Sequence, residues 1–200
     1  MYPCKLPLVL LAALGAVTTA PGAVGPTLDS AGALLVAEPE LDDPNFDHTV
    51  VVLLHHDAEG ALGLVVNRRY GRVPTADLLR RLGLDAAGAS GETELFYGGP
   101  VQPDLGTVLH RPDYQGSDTR AVAPGLAATS DPAILRALAT GQGPSQARVV
   151  LGYAGWGPGQ LEGELQQHAW FLLPADPDLV LAADPAKAWQ RAFGRRGVDL

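Results

Sequence analysis

"HTVVVLLHHDAEGALGLVVNR", residues 48–68, decides the fold class. Val50–Leu54 is a run of β-branched and aliphatic residues, as a buried strand requires. "DAEGA" (57–61) supplies a turn, and "ALGLVVNR" (61–68) reads as the return strand. Strands joined by so short a loop must run antiparallel, because a parallel pair needs a crossover of a dozen or more residues. Strand pairs with short connections, mixed with three or four helices along the chain, favour an α+β domain over a doubly wound parallel sheet. Gly63, inside the return strand, marks a bulge or the close approach of another backbone.

The reading extends in both directions. "GALLVAEP" (32–39) is a short buried strand stopped by Pro39, and "LDDPNFDHT" (41–49) is turn chemistry. Downstream, "TADLLRRLGL" (75–84) predicts an amphipathic helix with Thr75 as N-cap and Leu78, Leu79 and Leu82 facing inward. "AAGASGE" (86–92) is a loop. "TELFYGGPV" (93–101) is a strand running into Gly98-Gly99-Pro100, and "GTVLHRP" (106–112) is a further short strand. "TRAVAPGLAATS" (119–130) predicts a hairpin. "SDPAILRALATG" (130–141) predicts a helix capped by Ser130 or Asp131, with Pro132 in its first turn and Gly141 at its end. "ARVVLGYAGW" (147–156) is a strand, "GQLEGELQQ" (159–167) a short helix, "AWFLLPAD" (169–176) a strand and "PAKAWQRAFGRRG" (185–197) a closing helix.

Composition narrows the function. The 200 residues carry a formal net charge of −8, and their only basic groupings are Arg68-Arg69, Arg80-Arg81 and Arg195-Arg196. A duplex-binding protein needs its cations concentrated against phosphates, so no direct nucleic-acid binding is expected. The single cysteine, Cys4, rules out an intrachain disulfide and a thiolate metal site. Residues 6–17, "LPLVLLAALGAV", have the length of a secretory h-region and are too short to span a membrane. Small residues around Ala20, Gly22 and Ala23 suit cleavage there. The expected organisation is a signal-like segment at 1–22, a linker at 23–31 and one domain at 32–200. If the leader is used, the mature protein is extracytoplasmic and has no membrane span.

Chemical motifs are few. His55 and His56 alternate on a strand and point to opposite faces, so they do not clasp one ion together. No nucleophile elbow, P-loop or dinucleotide fingerprint is present. No metal and no cofactor are expected. "LGYAGWGPGQLEGEL" (151–165) holds Trp156 among four glycines, followed by Gln160 and Glu164 one helical turn apart. An amide and a carboxylate beside an indole suit a polar ligand. They equally suit a glycine turn with Trp156 as a core plug.

In this order, these segments resemble the AlgH/YqgE family of bacterial proteins: "LLVAEPELDDPNFDHTVVVLLHHDAEGALGLVVNR", "FYGGPV" with "GTVLH", and "LGYAGWGPGQLEGELQQHAWFLLPAD". The resemblance runs from about Gly32 to Leu200. It implies a single α+β domain in which a forked, mostly antiparallel sheet curls into a pseudo-barrel with flanking helices. It selects Pro39, Phe46, Thr49, His56, Gly60, Gly63, Asn67, Gly98, Gly99, Pro100, Gly152, Trp156, Gly159, Gln160, Leu161, Glu164 and Trp170. It implies no reaction. Some members carry the label of transcriptional regulator from an association with alginate production, which is a genetic inference rather than a DNA contact. It also implies a cytoplasmic location, the alternative to export. Members usually have proline soon after the asparagine, whereas here Asn67 is followed by Arg68-Arg69-Tyr70, so that loop differs.

Two functions follow. The first is a non-enzymatic binding or regulatory module with a protein partner. The second is a small-polar-ligand protein or enzyme built on His56, Asn67, Gln160 and Glu164 around Gly98-Gly99-Pro100 and Trp156. Convergence of those four side chains on one cavity discriminates the two.

Overall fold

The computed structural model describes residues 30–196. The signal-like segment 1–22 and the linker up to residue 29 lie outside the described residues, as do residues 197–200. Ten strands run in chain order: β1 (Leu34–Ala37), β2 (Val50–Asp57), β3 (Gly60–Val65), β4 (Arg69–Pro74), β5 (Glu92–Tyr97), β6 (Val101–His110), β7 (Thr119–Ala123), β8 (Leu126–Thr129), β9 (Ala147–Trp156) and β10 (Trp170–Leu173). Five short helices accompany them: α1 (Thr75–Arg81), α2 (Ala133–Ala139), α3 (Gln160–Gln166), α4 (Pro177–Leu181) and α5 (Pro185–Phe193).

The sheet order is β10-β1-β2-β3-β9-β6-β8-β7. The hairpin forms as its sequence requires, with Asp57 opposite Gly60 and a bulge between Leu53 and His55. The fork lies on β9. β6 pairs with it antiparallel from Ala147 to Tyr153. On the other side, β5 pairs in parallel at Val149–Leu151 and β3 takes over antiparallel at Ala154–Trp156. Gly98 and Gly99 occupy the point where the two prongs part. A Cβ on Gly99, at φ +152°, would lie 2.2 Å from the Tyr153 carbonyl carbon, and one on Gly98 would lie 2.3 Å from the Gly152 oxygen. The glycine pair is therefore set by backbone contact within the sheet.

Residues from eight strands converge on one interior cluster that includes Val36, Val52, Leu64, Phe96, Leu109, Leu126, Val150 and Leu173. A sheet can share one cluster across so many strands only by curling around it. α4 and α5 contribute Leu179, Val180 and Ala188 to the same cluster. Gly32 comes up against the Val122 carbonyl on β7, which brings the two ends of the curl together. Each prong also has an outer face. Under α3, the outer face of β1–β3 gathers Leu35, Val51, Val65, Trp156, Leu161 and Trp170. Under α1 and α2, the outer face of β5, β6 and β9 gathers Leu79, Leu95, Val108, Ile134, Leu135 and Val149.

Three local expectations need correction. Thr75 does not cap α1: Pro74 holds that position without a side-chain acceptor, and the Thr75 hydroxyl meets Thr93 Oγ1 at 3.0 Å. Leu82 does not face inward; it is 45% exposed beyond the helix end. The Arg69–Pro74 segment is a strand rather than a loop. Its polar, Gly- and Pro-containing sequence has little strand propensity, and pairing with β5 imposes the conformation. α4 is a further element that the sequence reading left as loop. Asp176 caps it, accepting from the backbone N–H groups of Asp178 and Leu179 at 2.9 and 3.1 Å.

Candidate functional site

The motif-rich residues gather under α3, where two carboxylates do separate jobs. Glu162 and Glu164 are two positions apart, roughly 200° around a helix. Glu164 turns inward. Its Oε2 accepts from Trp156 Nε1 at 2.9 Å and from Trp170 Nε1 at 2.8 Å, and its Oε1 accepts from Gln160 Nε2 at 2.9 Å. Gln160 in turn accepts from the Gly157 backbone N–H at 3.1 Å. Phe46 packs on both indoles, with ring centroids 6.2 Å from Trp156 and 5.5 Å from Trp170. The amide and carboxylate clamp the glycine turn and two buried tryptophans.

Glu162 turns the other way, to His56. The adjacent histidines alternate as expected: the His55 side chain is exposed and sits 2.7 Å from Asp57, while that of His56 is buried. His56 Nε2 lies 2.9 Å from Glu162 Oε1, and Nδ1 lies 2.6 Å from the Ser30 hydroxyl. The Glu162 backbone N–H and then the His56 ring hold the Glu162 carboxyl below its ordinary value. Ser30–His56–Glu162 has the connectivity of a nucleophilic relay. Neither Ser30 nor His56, however, lines any of the clefts described here. Sequence reasoning missed Ser30 and Glu162. The signal for Glu162 was helical phase: with Glu164 facing Trp156, Glu162 had to face elsewhere.

Asn67 stands apart from this group. Its Oδ1 accepts from the Val50 N–H and its Nδ2 donates to the His48 carbonyl, both at 2.9 Å. It thus replaces the strand partner that β3 no longer supplies. Arg68 secures the same loop by donating to the Pro44 and Asp47 carbonyls, each at 2.8 Å. Gly98 and Gly99 are buried at the fork, and Pro100 follows them exposed at the surface. The structure brings Trp156, Gln160 and Glu164 together and puts His56 on the far side of α3. It holds Asn67 and Gly98-Gly99-Pro100 elsewhere.

The open clefts lie away from these motifs. One of about 420 Å³ is on the outer face of the β5–β9 prong, between α1 and the projecting part of β6. Leu95, Val149 and Leu151 form its floor, with Leu78 and Leu135 beside them. Its rim carries Tyr70, 67% exposed, and Leu82, while Leu105 is exposed between the lining residues Asp104 and Gly106. A second, of about 480 Å³, opens into the mouth of the curled sheet. A third, of about 550 Å³, is polar and contains Arg148. Burial pushes that guanidinium down to about 10, with Glu94 pulling the other way. Arg148 stacks on Phe96, 4.3 Å from the ring centroid, and donates to the Val66 and Ala183 carbonyls. It ties the C-terminal end of α4 to the sheet. Among the described residues, no three histidine, cysteine or acidic side chains stand close enough to hold a metal.

A family model described as AlgH-like, DUF179, matches residues 34–200. The chain belongs to the AlgH-like family. It is 44% identical to a UPF0301 protein of Methylococcus capsulatus over 86% of this chain and 94% of that protein. The solution structure of the AlgH protein of Pseudomonas aeruginosa superposes with a TM-score of 0.73 at 37% identity, covering 89% of this chain and 94% of that one. A crystal structure of a Corynebacterium diphtheriae protein shares the fold, with a TM-score of 0.68 at 22% identity, covering 84% and 87% of the two chains. The chain thus shares its overall fold with both structures. None of these names specifies an activity.

Proposed function

We propose that this AlgH-like protein is a non-enzymatic binding module that takes an extended segment of a partner protein. The segment lies along the free edge of β4 and places an apolar side chain in the outer cleft. The observation that carries this reading is the apolar cleft lined by Leu78, Leu82 and Leu151, with Tyr70 67% and Leu82 45% exposed at its rim. Among the described strands β4 pairs only with β5, so its outer edge offers backbone donors and acceptors to an incoming strand. A cleft of this size with a few charges at its rim, here Asp77, Arg81 and Asp104, suits an apolar anchor flanked by polar residues.

The alternative, a polar pocket of His56, Asn67, Gln160 and Glu164, is less well supported because each side chain already has protein partners. Nucleic acid is disfavoured by the charge of −8 and by the pairing of Arg69, Arg80, Arg195 and Arg196 with carboxylates. Selection from a displayed library of random peptides tests the proposal. Enriched peptides should share an apolar anchor and lose binding to Leu82→Asp. Failure to enrich, or enrichment indifferent to Leu82→Asp, would overturn it.

A further inference from the structure

The mouth of the curled sheet presents a second site, distinct from the outer cleft and independent of the reading above. Its floor is the interior of the fold. Leu64 and Ala128 belong to the interior cluster, and Leu54, Val122 and Tyr153 pack against it. Strands β2, β3, β6, β7, β8 and β9 all contribute to the lining. The mouths of curled and closed sheets are recurrent ligand sites, and a volume of about 480 Å³ falls within the usual range for one.

The rim supplies two opposite charges. Asp118 and Arg120 both line the cavity and are both exposed. Arg120 lies on β7, and Asp118 lies in the turn that leads into that strand. Among the described residues neither has an oppositely charged group within 4.0 Å, in contrast to most arginines of this protein. Thr107, Ser130 and Tyr153, each bearing a hydroxyl, also line the cavity. Thr107 is itself buried. Two charged residues, three hydroxyl-bearing residues and an apolar floor thus border one open cavity.

A simple anion would leave Asp118 opposed, and a simple cation would leave Arg120 opposed. A zwitterion satisfies both. We propose that this cavity binds a small zwitterion with an apolar side chain, the chemistry of a hydrophobic α-amino acid. Its carboxylate pairs with Arg120, its ammonium group pairs with Asp118, and its side chain lies on Leu54, Leu64 and Val122.

The test is a titration of the full chain, carrying labelled methyl groups, with three probes that share an isobutyl group. L-leucine has both charges, isocaproate only the carboxylate and isoamylamine only the ammonium. L-leucine should shift the methyl signals of Leu54, Leu64 and Val122 saturably, and each one-charge analogue should bind at least roughly fivefold more weakly. Arg120→Gln should bring L-leucine down to the level of isoamylamine, and Asp118→Asn to that of isocaproate. Both positions are exposed, so the fold should persist, and unchanged spectra of the unliganded variants will verify it. Equal affinity for L-leucine and isocaproate would overturn the proposal. So would the absence of saturable shifts, or shifts at Leu82 and Leu151 instead.

Discussion

The two outer faces of the forked sheet begin alike and end differently. Each has an apolar cluster covered by helices of seven residues, α3 on one face and α1 with α2 on the other. Over β1–β3 the cover is complete: α3, Phe46 and two tryptophans close the face, and Glu164 satisfies both indole N–H groups. Over β5 and β9 the cover stops short. α1 ends with Leu82 exposed, and a cleft lined by Leu78, Leu82 and Leu151 stays open beside it. The contrast teaches that dense motif and open surface need not coincide. The face with the recognisable sequence is sealed. The face with the plain one has room for something else.

The largest expected effect is on the sealed face. Trp156 is 6% exposed at the centre of its cluster. Trp156→Ala should cost roughly 3–5 kcal/mol, which calorimetry or denaturant titration will measure. A loss below about 1 kcal/mol would mean that α3 and Phe46 close the face without it.

Glu164→Ala is next. It leaves two buried indole N–H groups without an acceptor, each costing roughly 1–3 kcal/mol. Glu164→Gln keeps one acceptor oxygen and should recover part of the loss. If Glu164→Ala unfolds at the wild-type midpoint, the carboxylate does not clamp the tryptophans.

Much of this fold was legible in the sequence. The β2–β3 hairpin follows from a Val/Leu run and the DAEGA loop at 57–61, and α3 follows from glycine-framed helical spacing. β4 was not legible, because Arg69–Pro74 owes its extended form to β5 rather than to its own propensity. The site was less legible still. Gln160 and Glu164 announce polar chemistry, and only their distances from Trp156, Trp170 and Gly157 reveal that protein groups occupy it. The outer cleft is built from leucines and valines that any core would use. Its openness depends on where α1 stops, which no local pattern records.

Leu82 tests the open face. An exposed leucine contributes little to folding, so Leu82→Asp should change stability by no more than about 0.5 kcal/mol. The same change puts a charge at the mouth of an apolar cleft and should abolish binding of the apolar-anchored peptides described above. A loss of stability comparable to that of Trp156→Ala would show that the face is closed in solution, and the contrast between the two faces would fail.

The smallest effect concerns the link between α3 and β2. Glu162 is half exposed, and its carboxyl lies below the ordinary 4.5 because its own backbone N–H and then the His56 ring favour the ionised form. A carboxyl lowered on folding stabilises the folded state above its unfolded value. That contribution disappears as pH falls from about 4.5 through the lower folded value. Solvent around the half-exposed carboxylate keeps it small. A carbon-detected NMR titration should therefore place the Glu162 midpoint below 4.5. In His56→Gln the midpoint should move upward but stop short of the ordinary value, because the backbone donor remains. Glu162→Gln should flatten the acid limb of the stability profile over the same window and leave the profile near neutral pH parallel to that of the wild type. A Glu162 midpoint at or above the ordinary value would mean that His56 does not hold α3 through this carboxylate. The closure of that face would then rest on Glu164 and the aromatic packing alone.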